Sequence, residues 1–129
     1  MTQQEMKART KRFALRVIKL VDSLPDARSS GVIGKQLLRS GTSVGANYRS
    51  ACRAKSTADF VFKLSIVEEE ADESVYWMEL LVESSLVKAA SLAALIDEAN
   101  QLVAIVVSSS KTLKRKRNPK SEFPNPKSK

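Results

Sequence analysis

Histidine is absent from this chain, and cysteine occurs once, as Cys52. Without histidine there is no histidine-based zinc site, no Ser-His-Asp or Cys-His nucleophile and no Glu-x-x-His di-iron bundle. A single cysteine excludes an intrachain disulfide and suits a reducing cytoplasm. Aromatic residues are sparse at 5%. No uncharged apolar run approaches the roughly 20 residues of a membrane span. The first residues are polar and charged, and Arg16 and Lys19 interrupt the apolar run that follows, so the N-terminus does not read as a signal peptide. A soluble, cytoplasmic protein is the expectation. Glycine is scarce too: Gly31, Gly34, Gly41 and Gly45 are all there are.

The 129 residues, 43% apolar and 28% charged, fit one domain with a modest core. The formal net charge of +8 favours polyanionic partners, nucleic acid or an anionic membrane surface, although a basic balance also serves solubility. Apolar residues recur at helical spacing in four segments, predicted over 4–24, 30–53, 57–86 and 92–117. Pro25 ends the first. Ser29 or Ser30 is expected to cap the second, Ser56 the third with Asp59 three residues on, and Ser91 the fourth. Short connections make sequential helices antiparallel, so residues 1–117 read as an all-α, up-down-up-down four-helix bundle. Residues 118–129, rich in proline, lysine and serine, read as a disordered basic tail.

All four glycines fall within the second predicted helix, where each costs roughly 0.5–1 kcal/mol against alanine. That cost implies close backbone approach or a polar seam. Ile33, Leu37, Val44, Tyr48 and Ala51 form an apolar stripe; Gln36, Ser40, Ser43 and Asn47 form a polar one beside it. The regularity predicts a helix covered on two sides, by its own bundle and by another polar partner surface. Gly41 and Gly45 have the small-xxx-small spacing that lets helices approach closely. The Gly31-Val-Ile-Gly34-Lys35 run lacks the spacing of a phosphate loop, and no strand precedes it.

Glu68, Glu69, Glu70, Asp72 and Glu73 cluster on the third helix, with Glu70, Glu73 and Trp77 on one face beside the apolar stripe. A carboxylate metal or acid–base site is one reading of them. The other, which the lack of histidine favours, is a network of ion pairs with Arg28 or Arg39 or with a neighbouring chain, since buried carboxylates persist only when paired. Neither a cofactor nor a catalytic set is expected. Basic residues form three groups: Lys7, Arg9, Lys11, Arg12, Arg16 and Lys19; then Arg49, Arg53 and Lys55; then Lys111, Lys114, Arg115, Lys116 and Arg117. Helix dipoles account for part of the last two groups. A run around the whole helix circumference, as from Lys114 to Arg117, suits phosphate contacts better. No pattern for reading bases is present.

From Leu24 to Leu81 the chain closely resembles the 23S rRNA intervening-sequence family of four-helix-bundle proteins. The matching positions are Gln36-Leu37, Arg39, Ser43-Val44, Asn47-Tyr48-Arg49, Phe60, Lys63-Leu64 and Glu70-Ala71-Asp72-Glu73 to Trp77. A weaker match runs through Glu98-Ala99-Asn100 to Lys111. The resemblance implies an antiparallel bundle assembling into a ring, a homopentamer. A similar bundle is the accessory protein of diversity-generating retroelements, which binds nucleic acid and a reverse transcriptase. On this footing Arg28, Gln36, Arg39, Ser43, Asn47, Glu70 and Glu73 hold the bundle or its subunit contacts rather than perform chemistry. The leading expectation is a non-enzymatic homo-oligomer binding RNA or DNA through basic surfaces without sequence specificity. The alternative is a scaffold ring that recruits another protein.

Overall fold

The computed structural model describes residues 1–117, except for the side chain of Arg117; the expected tail at 118–129 lies outside the described residues. The described residues contain four helices and no strand: α1 (Gln3–Asp22), α2 (Arg28–Ala51), α3 (Thr57–Glu83) and α4 (Ala89–Arg117). The linkers between them are short, so successive helices run antiparallel and pack as neighbours, α1 on α2, α2 on α3 and α3 on α4. α1 meets α4 along a much sparser seam.

Local chemistry sets the helix ends, in part differently from expectation. Thr2 caps α1: its hydroxyl accepts from the Glu5 amide (3.0 Å), and the Glu5 carboxylate accepts from the Thr2 amide (2.7 Å). This is a Thr-x-x-Glu capping box. α2 begins at Arg28 behind Ala27, not behind Ser29 or Ser30. The Ala27 amide donates to the Pro25 carbonyl (2.9 Å), and this turn leaves Ala27 extended, so both serines fall within the first helical turn. The Ser30 hydroxyl is consequently buried without a hydrogen-bond partner among the described residues. Ser56 caps α3 as expected, accepting from the Asp59 amide (3.0 Å). α4 starts at Ala89, which puts Ser91 inside the helix rather than at its cap.

The core is one cluster running through all four helices, with Phe13, Val17, Leu37, Val44, Leu64, Met78, Leu81, Leu92 and Leu102 fully enclosed. By length and composition α4 could cross a membrane. Five of its apolar residues, Leu92, Leu95, Ala99, Leu102 and Val106, are nevertheless buried in the core of the bundle.

The glycine side of α2 is occupied by α1. A Cβ on Gly41 would lie 2.8 Å from both γ-carbons of Val17; on Gly34 it would lie 2.9 Å from Leu24, and on Gly45 3.3 Å from the Thr10 hydroxyl. Around Gly31, no atom of the described residues beyond its chain neighbours and its own helix backbone lies within 4 Å of such an atom. The polar side of α2 is turned to α3. The buried hydroxyls of Ser40 and Ser74 lie 2.9 Å apart, with Ser74 also donating to the Glu70 carbonyl (2.9 Å). At Ser40 the polar stripe is thus met by α3 of the same chain, whereas Ser43 and Asn47 donate to carbonyls of α2 itself and stay half-buried.

Candidate nucleic-acid interface

Antiparallel order brings four helix ends together: the start of α1, the end of α2, the start of α3 and the end of α4. Basic residues dispersed in sequence meet there. Arg49, Arg53 and Lys55 close α2 or follow it; Lys111, Lys114, Arg115 and Lys116 lie in the last turns of α4, and all seven are exposed. Arg117 ends α4, with its side chain outside the described residues. Lys63 on α3 is partly engaged, donating to the Ser50 hydroxyl (3.2 Å) and lying 3.9 Å from the Asp59 carboxylate. Acidic groups at this end are few, and Glu5 and Asp59 are committed to helix caps.

The α1 cations extend this pole. Lys7, Lys11 and Arg12 line a groove with Leu15 and, across from them, Arg49 of α2. The groove encloses about 540 Å³. The signal for it was in the sequence: Lys7, Lys11 and Leu15 recur at i, i+4 and i+8, opposite the core-facing Met6, Thr10, Phe13 and Val17. Only the placement of α2 adds Arg49 to that row. Arg9, by contrast, is spent internally. Its guanidinium grips Glu98 of α4 through two bonds of 2.7 and 2.8 Å and also donates to Gln101 (2.7 Å). The hydrogen bonds from Arg9 hold the Glu98 carboxyl below its ordinary range, and Glu98 in turn raises the Arg9 guanidinium.

The acidic cluster of α3 pairs with Arg39, which bonds Glu70 (3.2 Å) and Glu73. Glu73 also accepts from the Trp77 indole (2.9 Å). The described residues hold no group of three or more His, Cys, Asp or Glu placed to bind a metal ion. Gln36 accepts from Arg39 (3.3 Å), Ser43 donates to the Arg39 carbonyl (2.7 Å), and Asn47 donates to the Ser43 carbonyl (2.8 Å). Arg28, expected in the same network, stands exposed at the first turn of α2, without an ion pair among the described residues. With Arg39 47% exposed, the network contributes little stability.

Beside the cationic pole lies an apolar hollow formed by all four helices, with Met6, Tyr48, Phe60 and Leu113 among its walls. Burial, reinforced by neighbouring Cys52, pushes the Tyr48 phenol far above its ordinary range, so it stays protonated. Two rows of exposed apolar groups run elsewhere. Leu15 (57% exposed) and Ile18 lie on α1; Phe62 (63%) and Tyr76 (53%) lie on α3.

The sequence model of the 23S rRNA-intervening sequence proteins matches residues 2–108. No curated protein matches the chain. Among solved structures, the chain is similar to a protein of unknown function from the S23 ribosomal protein family of Bacteroides thetaiotaomicron, at 35% identity. That likeness covers 86% of this chain and 99% of the other, with a TM-score of 0.80. The extent of these matches, together with the four-helix architecture, places the chain in the 23S rRNA-intervening sequence protein family.

Proposed function

We propose that this chain is a non-enzymatic, homo-oligomeric bundle of the cytoplasm that binds RNA or DNA through its cationic end, largely without sequence specificity. The observation that carries the reading is the convergence of Arg49, Arg53, Lys55, Lys111, Lys114 and Lys116, all exposed, at one pole of the bundle. Phosphates are recognised by such cations in solvent, whereas reading sequence needs side chains aimed into a groove.

The two exposed apolar rows support self-association. On α3, exposed Phe62 and Tyr76 share a face with the exposed carboxylate of Glu69; on α1, exposed Leu15 and Ile18 share a face with the cation Lys11. A contact between these unlike faces is heterologous, and such a contact builds a ring where the rotation from one copy to the next closes. Every copy in a ring turns its cationic pole to the same side, so the fields add. A pentamer is the copy number that the family resemblance proposes. A reverse transcriptase is the protein partner proposed by the same analogy.

Binding of a fluorescent RNA or DNA duplex, followed by anisotropy over a salt series, tests this reading. Affinity should fall steeply with salt and vary little with sequence. Charge reversal by Lys114→Glu with Lys116→Glu should weaken it without changing the helical signal. No binding at low salt ends the proposal. The exposed Phe62 and Tyr76 also favour a second reading, a scaffold for another protein; a partner retained at high salt after nuclease treatment would select it.

A further inference from the structure

The apolar hollow at the cationic pole has no role in gripping phosphates, and its chemistry is unlike the surface around it. It encloses about 320 Å³, a size at the lower end of the roughly 300–1,000 Å³ of small-molecule sites. Tyr48 and Phe60 supply aromatic surface, and Met6, Leu64, Ile105 and Leu113 supply aliphatic surface. Part of the lining is polar: Ser108, Ser109 and Thr112 of α4 and Gln3 of α1. A plain hydrocarbon chain would cover these hydroxyls and offer them no partner. A flat heteroaromatic ring answers both kinds of lining, with faces for the aromatic groups and edge donors and acceptors for the hydroxyls.

Charge narrows the occupant further. Ser109, Thr112, Leu113 and Lys116 follow one another at i, i+3, i+4 and i+7, so Lys116 stands on the lining side of α4, one turn beyond the cavity wall. A ring that carries a phosphate on a short linker would meet the cavity and the cation together. We propose that this cavity receives an unpaired nucleobase of the bound strand, which gives the protein a preference for single-stranded segments, bulges or ends over uninterrupted duplex. The inference rests on the nucleic-acid reading above and adds a base-holding site to it. In a duplex every base is stacked and paired, and drawing one out has an energetic cost that a single strand avoids.

The test compares two labelled strands of equal length and charge at one salt concentration: oligodeoxythymidylate and its abasic analogue. The base-bearing strand should bind about 5- to 100-fold more tightly, the range expected for stacking one base. Ser109→Trp, which fills the cavity from its polar lining, should close that gap. Ser109→Leu serves the same purpose if the tryptophan variant loses its helical signal. Equal affinity for the two strands overturns the base site and leaves phosphate binding standing. A gap that survives both cavity-filling variants overturns it as well. If neither strand binds at low salt, the nucleic-acid reading and this inference fall together.

Discussion

Two glycine-to-alanine changes in the same helix should have opposite signs. Gly31 lies in the first turns of α2, with no atom of the described residues beyond its chain neighbours and its own helix backbone within 4 Å of a built Cβ. Gly31→Ala therefore brings only the gain in helix propensity and the reduced freedom of the unfolded chain, about 0.5–1 kcal/mol of added stability. At Gly41 the same methyl would meet Val17 Cγ1 and Cγ2 at 2.8 Å and its Cβ at 3.1 Å. Val17 is fully buried, and because its own Cβ is among the close atoms, rotating the side chain does not clear the space. α1 and α2 must move apart. Overpacking of this kind costs about 1–3 kcal/mol, which outweighs the propensity gain and leaves a net loss of about 1 kcal/mol. Thermal melts at one protein concentration should move by about 2–6 °C, upward for Gly31→Ala and downward for Gly41→Ala. Adding Val17→Ala should remove most of the Gly41→Ala penalty, a coupling that a double-mutant cycle measures. If Gly41→Ala stabilises as much as Gly31→Ala, the close approach of α1 to α2 is not as described.

Ser30→Ala should raise the stability measured by urea unfolding by about 1 kcal/mol, because it removes a buried hydroxyl that has no partner among the described residues; a loss would mean that the hydroxyl is satisfied. Glu98 titrates below its ordinary value of 4.5 in the folded chain, so its contribution is complete above that value and is lost as pH falls through the depressed one. Melts between about pH 6 and 3 should accordingly show a shallower acid loss for Glu98→Gln than for the native chain, while parallel curves would refute the clasp with Arg9. Phe62→Asp should lower the solution mass seen by light scattering toward that of a single chain, with the helical content kept. A native chain that is already monomeric at micromolar concentration refutes the ring.

Much of the fold was legible because helix periodicity is carried by side chains that end up buried. The stripe at Leu37, Val44 and Tyr48 on α2 belongs to the core, as do Leu64, Val67, Ala71 and Met78, which the helical spacing of the third segment places on one face of α3. The third cap, at Ser56, was legible for the same local reason. The Thr2–Glu5 capping box has an equally clear spacing and could have been read. The start of α2 could not, since Ala27 acts as the cap only through the backbone turn after Pro25. Ser40 looked like half of a contact between molecules; its partner, Ser74, is 34 positions away on the next helix. The cationic pole was visible only as three separate groups. Joining Lys7 and Lys11 to Arg49, and these to Lys116, takes the antiparallel order of the helices, as does the hollow drawn from all four of them.

The uneven seams of the bundle bear on how it opens. α1 lies along α2, but where it faces α4 the Arg9–Glu98 clasp spans a thin contact. Loss of that pair should therefore let α1 undock and fray before α2, α3 and α4 lose their mutual packing. In hydrogen–deuterium exchange, the amides of α1 should be the first of the four helices to exchange.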